Sequence, residues 1–568
     1  MFHHLACIVK HLKKAAHLPL SLSRFRTAGT FMLLSVVLYA QQSPQQPTAD
    51  LPDLLRTKTE QVQDSAQSYL LPAERICNAQ AIKDFYSQRN YAPIWLAGRY
   101  FMPASQEFVH CIDNSRFSAL LPADYHYQTI QQLVQTTQYS ANEDILTDLA
   151  NLELLMTDAF MQLGKHLQSG KINPENIGIT WKPQRLPFNM QLVLSQAVTS
   201  GTPFCNALQS LEPQHPEYAQ LKQLLQIYEN LTPWEPIKAS WNLLLQKGDR
   251  NPMVTEVRKR LQITGDLSPE APLTEVFDKE LETAVMLFQR RHGLYYDGLV
   301  RSNVINELNV SLATRIDQIK ANLERWRWAP DSWGSTYVLV NVPEYRLTMF
   351  EDGVKSYSEA IIVGRENYPT PSFNDTITYM VLNPYWYVPA SIVKNELMKE
   401  VHSDANYFIN NDINVFKGNK RIDPTAVDWK KADLTQYAFR QGASAYNPMG
   451  VVKFMFPNQY DIYLHDTPSR ELFNNSRRSY SHGCVRINQP LEFALHLLRS
   501  DPTWSKERVE SVIHSQKETI VNLKKPIPIY LVYQTAFVNS ESGEVNFRED
   551  IYGWDKKIAQ LLAEKTNL

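Results

Sequence analysis

The strongest constraint on this chain lies between Tyr463 and Asn488. Asp461-Ile462-Tyr463-Leu464 reads as a strand and delivers His465 at its end. A loop rich in Asn, Ser and Arg then carries the chain to Ser481-His482-Gly483-Cys484-Val485-Arg486-Ile487. One cysteine therefore sits among a hydroxyl, an imidazole, a glycine and a guanidinium. His465 can join that group only through the tertiary fold.

A cysteine with His and Arg nearby is an arrangement that lowers a thiol pKa, because positive charge favours thiolate. The thiolate is the nucleophile, and a neighbouring His can take its proton and later return it. Gly483 lacks a Cβ and lets backbone come close to a reacting carbonyl. Backbone N–H groups around Gly483 and Cys484 are candidate donors to a developing oxyanion. Two histidines compete for the base. On an extended strand His482 would share a face with Cys484, whereas His465 arrives from elsewhere; residue order alone leaves the choice open. Three plainer readings stand beside this one. Cys484 could be a buried core residue. Arg486 could be a solvated surface charge. His465, His482, Cys484 and Asp466 could bind zinc, although structural zinc sites usually show paired close ligands such as C-x-x-C, and no second cysteine is near.

A His, fifteen intervening residues, then Ser-His-Gly-Cys-Val-Arg resembles the L,D-transpeptidase family with its YkuD-type catalytic domain. The resemblance implies an acyltransferase that cross-links peptidoglycan, with Cys484 as nucleophile and His465 as base. It implies attack on the third stem-peptide residue, a thioester, and transfer to the amine of a neighbouring stem. Arg486 would hold a substrate carboxylate or fix the loop. Tyr463, Tyr480, Ser481 and His482 would contact substrate or support the site, and Gly483 would belong to the oxyanion region. Cofactor and metal are expected to be absent, and carbapenems are expected to acylate Cys484. Asp466 departs from the family, many members of which have Gly after the His. Three rivals remain: a carboxypeptidase or hydrolase on the same pair, attachment of a protein to peptidoglycan, and a non-enzymatic wall-binding protein.

At 568 residues the chain is too long for one ordinary domain, and a net charge of −2 gives no global basic field for nucleic acid. The expected architecture is multidomain α+β: a mainly helical scaffold, a small three-helix domain, and a mostly β catalytic domain with an inserted lid. Residues 1–40 are basic and then apolar, as in a secretory signal or N-terminal anchor, so the chain is expected in the periplasm, touching membrane only through that segment. Residues 41–64, with Pro44, Pro47 and Pro52, are expected to be a linker.

Residues 65–248 carry helical periodicity, clearest from Leu149 to Leu167 with Gly170 as a stop; the stretches Phe85–Arg89 with Pro93-Ile94-Trp95, Leu121–Tyr125 and Gly170–Pro174 resemble the N-terminal scaffold of the large, YcbB-like branch of the family. Within residues 249–311, Leu281, Ala284, Val285 and Phe288 fall at helical spacing, and the run Thr283–Leu294 with Asp297-Gly298 resembles a peptidoglycan-binding domain. Residues 312–336 form a linking helix ending in Arg325-Trp326-Arg327-Trp328, expected to pack between domains. Residues 337–540 are the expected catalytic domain, with an irregular lid at about 395–446, and 541–568 a C-terminal helix. Cys77, Cys111 and Cys205 allow at most one disulfide among them, with Cys77–Cys111 the first pair to test. Stem peptides are the expected partner; no protein partner is indicated.

Overall fold

The structure is a computed structural model and describes residues 50–61, 69–71, 74–139, 145–181, 188–444, 446–539 and 542–565. The expected signal or anchor lies outside these residues. Among them, no helix is long and apolar enough to cross a membrane.

The expected linker is corrected over part of its length. Helix α1 (Asp50–Gln61) occupies residues assigned to it, with Leu51 and Leu55 fully buried. Pro52 suggests a loop, but it falls in the first helical turn, where a missing N–H costs nothing. The N-terminal unit also contains α2 (Pro103–Asn114), α3 (Ile145–Ser169), α4 (Phe204–Gln209) and α5 (Pro216–Glu229). α3 is buried along nearly all of its length. Its acids are tied to the backbone: Glu153 accepts from the N–H of Ile94 at 2.5 Å and of Trp95, and Asp158 accepts from the N–H of Cys77 and Asn78. His126 bridges Asp158 and Glu74 at 2.8 and 2.7 Å. Cys111 lies beside Cys205, not Cys77, which corrects the expected pairing.

The three-helix unit is α6 (Pro252–Ile263), α7 (Lys279–Arg291) and α8 (Ser302–Leu308) around Val257, Leu261, Leu281, Phe288 and Val304. Asp278 caps α7 by accepting from Leu281 N–H. α9 (Leu312–Trp328) follows, and its basic-aromatic end is interior. Trp326 and Trp328 are buried, Arg325 pairs with Asp555 at 2.6 Å, and Arg327 is held by Glu324 and the Ser118 carbonyl. α9 packs on α5 and on α10 (Trp554–Ala563), so one helix is clasped by the scaffold and by the end of the chain.

Nine strands make the main sheet: β1 (Tyr337–Asn341), β2 (Arg346–Glu351), β3 (Val354–Gly364), β4 (Phe373–Leu382), β5 (Val452–Met455), β6 (Leu464–His465), β7 (Ser479–Ser481), β8 (Val485–Ile487) and β9 (Thr519–Val532). Their order is β7-β3-β8-β6-β5-β4-β9-β1-β2, and β2 also pairs with β3, so eight strands close on themselves with β7 attached outside. β9 is one long strand, although Lys524–Pro526 interrupts the apolar alternation that suggests two. The hairpin Ala536–Val538/Val545–Phe547 straddles residues 540 and 541, so the boundary expected there falls within one structural piece.

The expected irregular lid is also corrected. Trp386–Tyr387, Tyr437–Gln441, Ile413–Lys417 and Lys420–Ile422 form a four-stranded antiparallel sheet, in that spatial order. It encloses its own core of Val393, Leu397, Phe408, Val415, Trp429 and Phe439. Its helical approach contains a π turn at Val393–Leu397.

Candidate active site

β6 and β8 run parallel, with Leu464 opposite Val485 and His465 opposite Arg486. Leu464, Val485 and Ile487 are fully buried in the core. Side chains alternate across a strand, so His465 and Arg486 take the other face, with Tyr463 and Cys484 one step before them. The Cys484 thiol donates to the Asp461 carbonyl oxygen at 3.6 Å, and Tyr463 is near enough to act on its ionisation. The Tyr463 and His465 rings are 5.6 Å apart. By that alternation the two side chains expected to react take the same face, His465 at the end of β6 and Cys484 in the bend just before β8. No hydrogen bond joins the Cys484 thiol to His465 Nδ1, which is buried without a partner.

The charge state differs from the expectation. Burial pushes the Cys484 thiol up to about 11, although Tyr463 and Arg486 pull the other way. Burial and the Arg486 cation push His465 down to about 3, against the carbonyls of Asp466 and Pro448, which favour its proton. The resting pair is a neutral thiol and a neutral imidazole. The presence of Arg and His suggests an ionised sulfur, but desolvation outweighs them here.

Gly483 has φ +115°, a conformation strained for any residue with a Cβ. Its N–H donates to Ser481 Oγ at 3.1 Å, and Ser481 Oγ donates to the Cys484 carbonyl at 2.5 Å. Ser481 therefore shapes the turn. The Gly483 N–H is already used, which removes it as an oxyanion donor. Arg486 Nε, by contrast, is buried and unpartnered. His465 Nδ1 and Arg486 Nε are thus two unmet polar atoms on paired positions of β6 and β8, and an incoming carbonyl or carboxylate can satisfy the second.

His482 does not serve Cys484. It turns to Glu396 in the π turn of the lid at 2.5 Å, with Arg365 at 2.7 Å and the Tyr368 ring 5.1 Å away. Tyr480 is 40% exposed, and its hydroxyl accepts from Asn475 Nδ2 at 3.1 Å. Asp466 accepts from Val451 N–H at 2.8 Å and Thr467 N–H at 2.5 Å, and pairs with Arg470. With His482 and Asp466 so engaged, the four residues weighed as zinc ligands do not converge. A Cβ on Gly450 would lie 2.2 Å from the Asp466 carboxyl group, so this acid fits because position 450 is glycine.

Sequence reasoning missed the support behind the turn. Thr370 Oγ1 accepts from Gly364 N–H at 2.9 Å and donates to the Gly483 carbonyl at 2.6 Å. Tyr552 Oη accepts from Thr370 N–H at 3.1 Å and donates to the Gly364 carbonyl at 2.7 Å. These residues come from 364, 370 and 552, and no local spacing links them. Gly364 alone carried a signal: it ends a strand pattern, and a Cβ there would meet the Tyr368 carbonyl oxygen at 2.1 Å.

A family model described as the L,D-transpeptidase catalytic domain matches residues 335–509 and contains the whole constellation. The chain carries an L,D-transpeptidase catalytic domain. Ahead of it, residues 80–225 match a scaffold domain and residues 250–308 a "Putative peptidoglycan binding domain". A Haemophilus influenzae protein named "Putative L,D-transpeptidase" is 33% identical over 244 residues, which is 42% of this chain and 48% of that protein. The match thus spans about half the length of the curated relative. Two solved structures also align, both titled L,D-transpeptidase. One is from Xylanimonas cellulosilytica (14% identity, 52% of this chain, 99% of that chain, TM-score 0.17). The other is from Stackebrandtia nassauensis (12% identity, 52% of this chain, 97% of that chain, TM-score 0.21). Superpositions at these scores carry no structural argument. The L,D-transpeptidase domain is the unit that holds His465 and Cys484.

Proposed function

We propose that this protein forms peptidoglycan cross-links between third-position stem residues, with Cys484 as nucleophile and His465 as general base. The observation that supports this most is the pairing of a half-buried thiol with a buried, neutral imidazole whose Nδ1 is unpartnered, on one face of β6 and β8. The thiol resists ionisation, so attack and proton transfer are coupled. Cys484 Sγ bonds to the carbonyl carbon of the third stem residue as its proton passes to His465 Nδ1. The Arg486 guanidinium or the Cys484 N–H stabilises the oxyanion. The bond to the terminal D-alanine breaks, and its nitrogen leaves with the proton from His465. The resulting thioester is attacked by the side-chain amine of a neighbouring diaminopimelate. His465 takes a proton from that amine and returns it to the sulfur. No cofactor enters these steps.

Tyr463 orients the sulfur. His482 joins the reacting turn to the lid, and Tyr480 faces the solvent side of the loop. The three-helix domain would hold the wall polymer. This work belongs outside the cytoplasm, in the periplasm, and a carbapenem would acylate Cys484. The test is a muramidase digest of walls incubated with the protein, read by mass spectrometry. Wild type should yield third-to-third cross-links and Cys484→Ala none. Tripeptide release without cross-links would replace transfer by hydrolysis, and cross-links made by the Cys484 variant would overturn the nucleophile.

A further inference from the structure

The scaffold unit holds two cysteines that the proposed reaction does not use. Cys111 lies in the last turn of α2 and Cys205 in the first turn of α4, and these helices pack together. Cys205 Sγ is 3.7 Å from the Glu107 carbonyl oxygen. Glu107 precedes Cys111 by one helical turn on the same face of α2. The two thiols lie close enough to influence each other's ionisation, both are free in this structure, and both are only half-buried. Cys77 is elsewhere, with its N–H held by Asp158, and its thiol is pushed up to about 12 by burial and that carboxylate.

We propose that Cys111 and Cys205 form a disulfide that staples α2 to α4. Exposure also favours the chemistry. Cys205 is the less deeply buried of the two thiols, so an oxidant reaches its sulfur first. Cys205 thiolate attacks a sulfur of an oxidised dithiol protein or of oxidised glutathione and displaces one thiolate. Cys111 then gives up its proton to solvent, attacks the Cys205 sulfur of the mixed disulfide and displaces the second thiolate. The protein loses two electrons and two protons, and the oxidant gains them as two thiols. The closed loop contains the whole of α3, so the bond restricts the unfolded chain over a long segment.

In the cell this rests on the extracytoplasmic location proposed above. Oxidised glutathione supplies the oxidant in vitro, so a wrong location and a wrong pairing give different results. The folded full chain is equilibrated with oxidised glutathione, then denatured, alkylated and digested without reduction. The expected result is a Cys111 peptide joined to a Cys205 peptide, with Cys77 and Cys484 alkylated. Alkylated Cys111 and Cys205, glutathione retained on either, or a Cys77–Cys111 link overturns the proposal. As a second measurement, dithiothreitol should lower the first thermal transition of the oxidised protein by about 5 °C or more. Cys205→Ser should show no such shift, and equal shifts in both proteins also overturn it.

Discussion

The ionisation of Cys484 offers the sharpest quantitative test of the site. Its thiol is pushed from an ordinary 9.0 up to about 11. Two units correspond to about 2.7 kcal/mol against the thiolate. At pH 8 the ionised fraction should be about 1 in 1,000, roughly a hundredfold below an unperturbed thiol. Iodoacetamide reacts with the thiolate, so its pseudo-first-order rate at Cys484 reports that fraction. The rate should be followed by peptide mass spectrometry from pH 6 to 10.5, which separates Cys484 from the other cysteines. It should climb about tenfold per pH unit with no plateau below pH 10. Arg486→Gln should slow it further, because that cation lowers the thiol pKa. A plateau beginning below pH 8 would mean a preformed thiolate–imidazolium pair, and the argument from burial would be wrong.

Four other outcomes follow from the geometry. His465→Ala should reduce thioester formation by about 10²- to 10⁴-fold, read by intact-mass acylation with a carbapenem, while circular dichroism stays unchanged. Gly450→Ala should cost about 2–4 kcal/mol in chemical denaturation, through its positive φ and the Asp466 carboxyl group, and Asp466→Gly should recover part of the loss. Burial alone would depress His126, but Asp158 and Glu74 hold it up at about 9. Its contribution, on the order of 3 kcal/mol, is complete below an unfolded pKa near 6.5 and disappears as pH rises through about 9. His126→Gln should flatten that alkaline decline in melting temperature. Glu396→Ala should impair cross-linking of polymeric wall more than acylation by a small carbapenem, because it removes the tie between lid and His482; equal losses on both substrates would contradict this.

Much of the fold was legible where long periodic runs met clear stops. Leu149–Leu167 with Gly170 predicts α3, and the spacing of Leu281, Ala284, Val285 and Phe288 predicts α7. That the strand ending in His465 neighbours the one following the cysteine was legible from the motif, and the two pair in parallel with His465 opposite Arg486. Closure of the sheet was not, because β1 pairs in parallel with β9 across nearly the whole domain. The lid looked irregular because its strands are short and set among Asn and Asp, although Ile413 and Val415 do alternate. The effect of burial on the thiol was not legible, for a different reason. Neighbouring cations are visible in a sequence, whereas water exclusion is a property of the packed molecule.

The clasp around α9 bears on how the protein can be handled. Ile319, Leu323, Trp326 and Trp328 belong to the same apolar interior as β1 and β9. A chain trimmed to begin at Tyr337 would leave that wall of the sheet facing water and strip the buried Asp555 of its partner Arg325. Such a fragment should aggregate even with every motif residue intact. The smallest piece that stays dissolved should keep α5 and α9, which makes the linking helix a structural part of the β domain and not a tether.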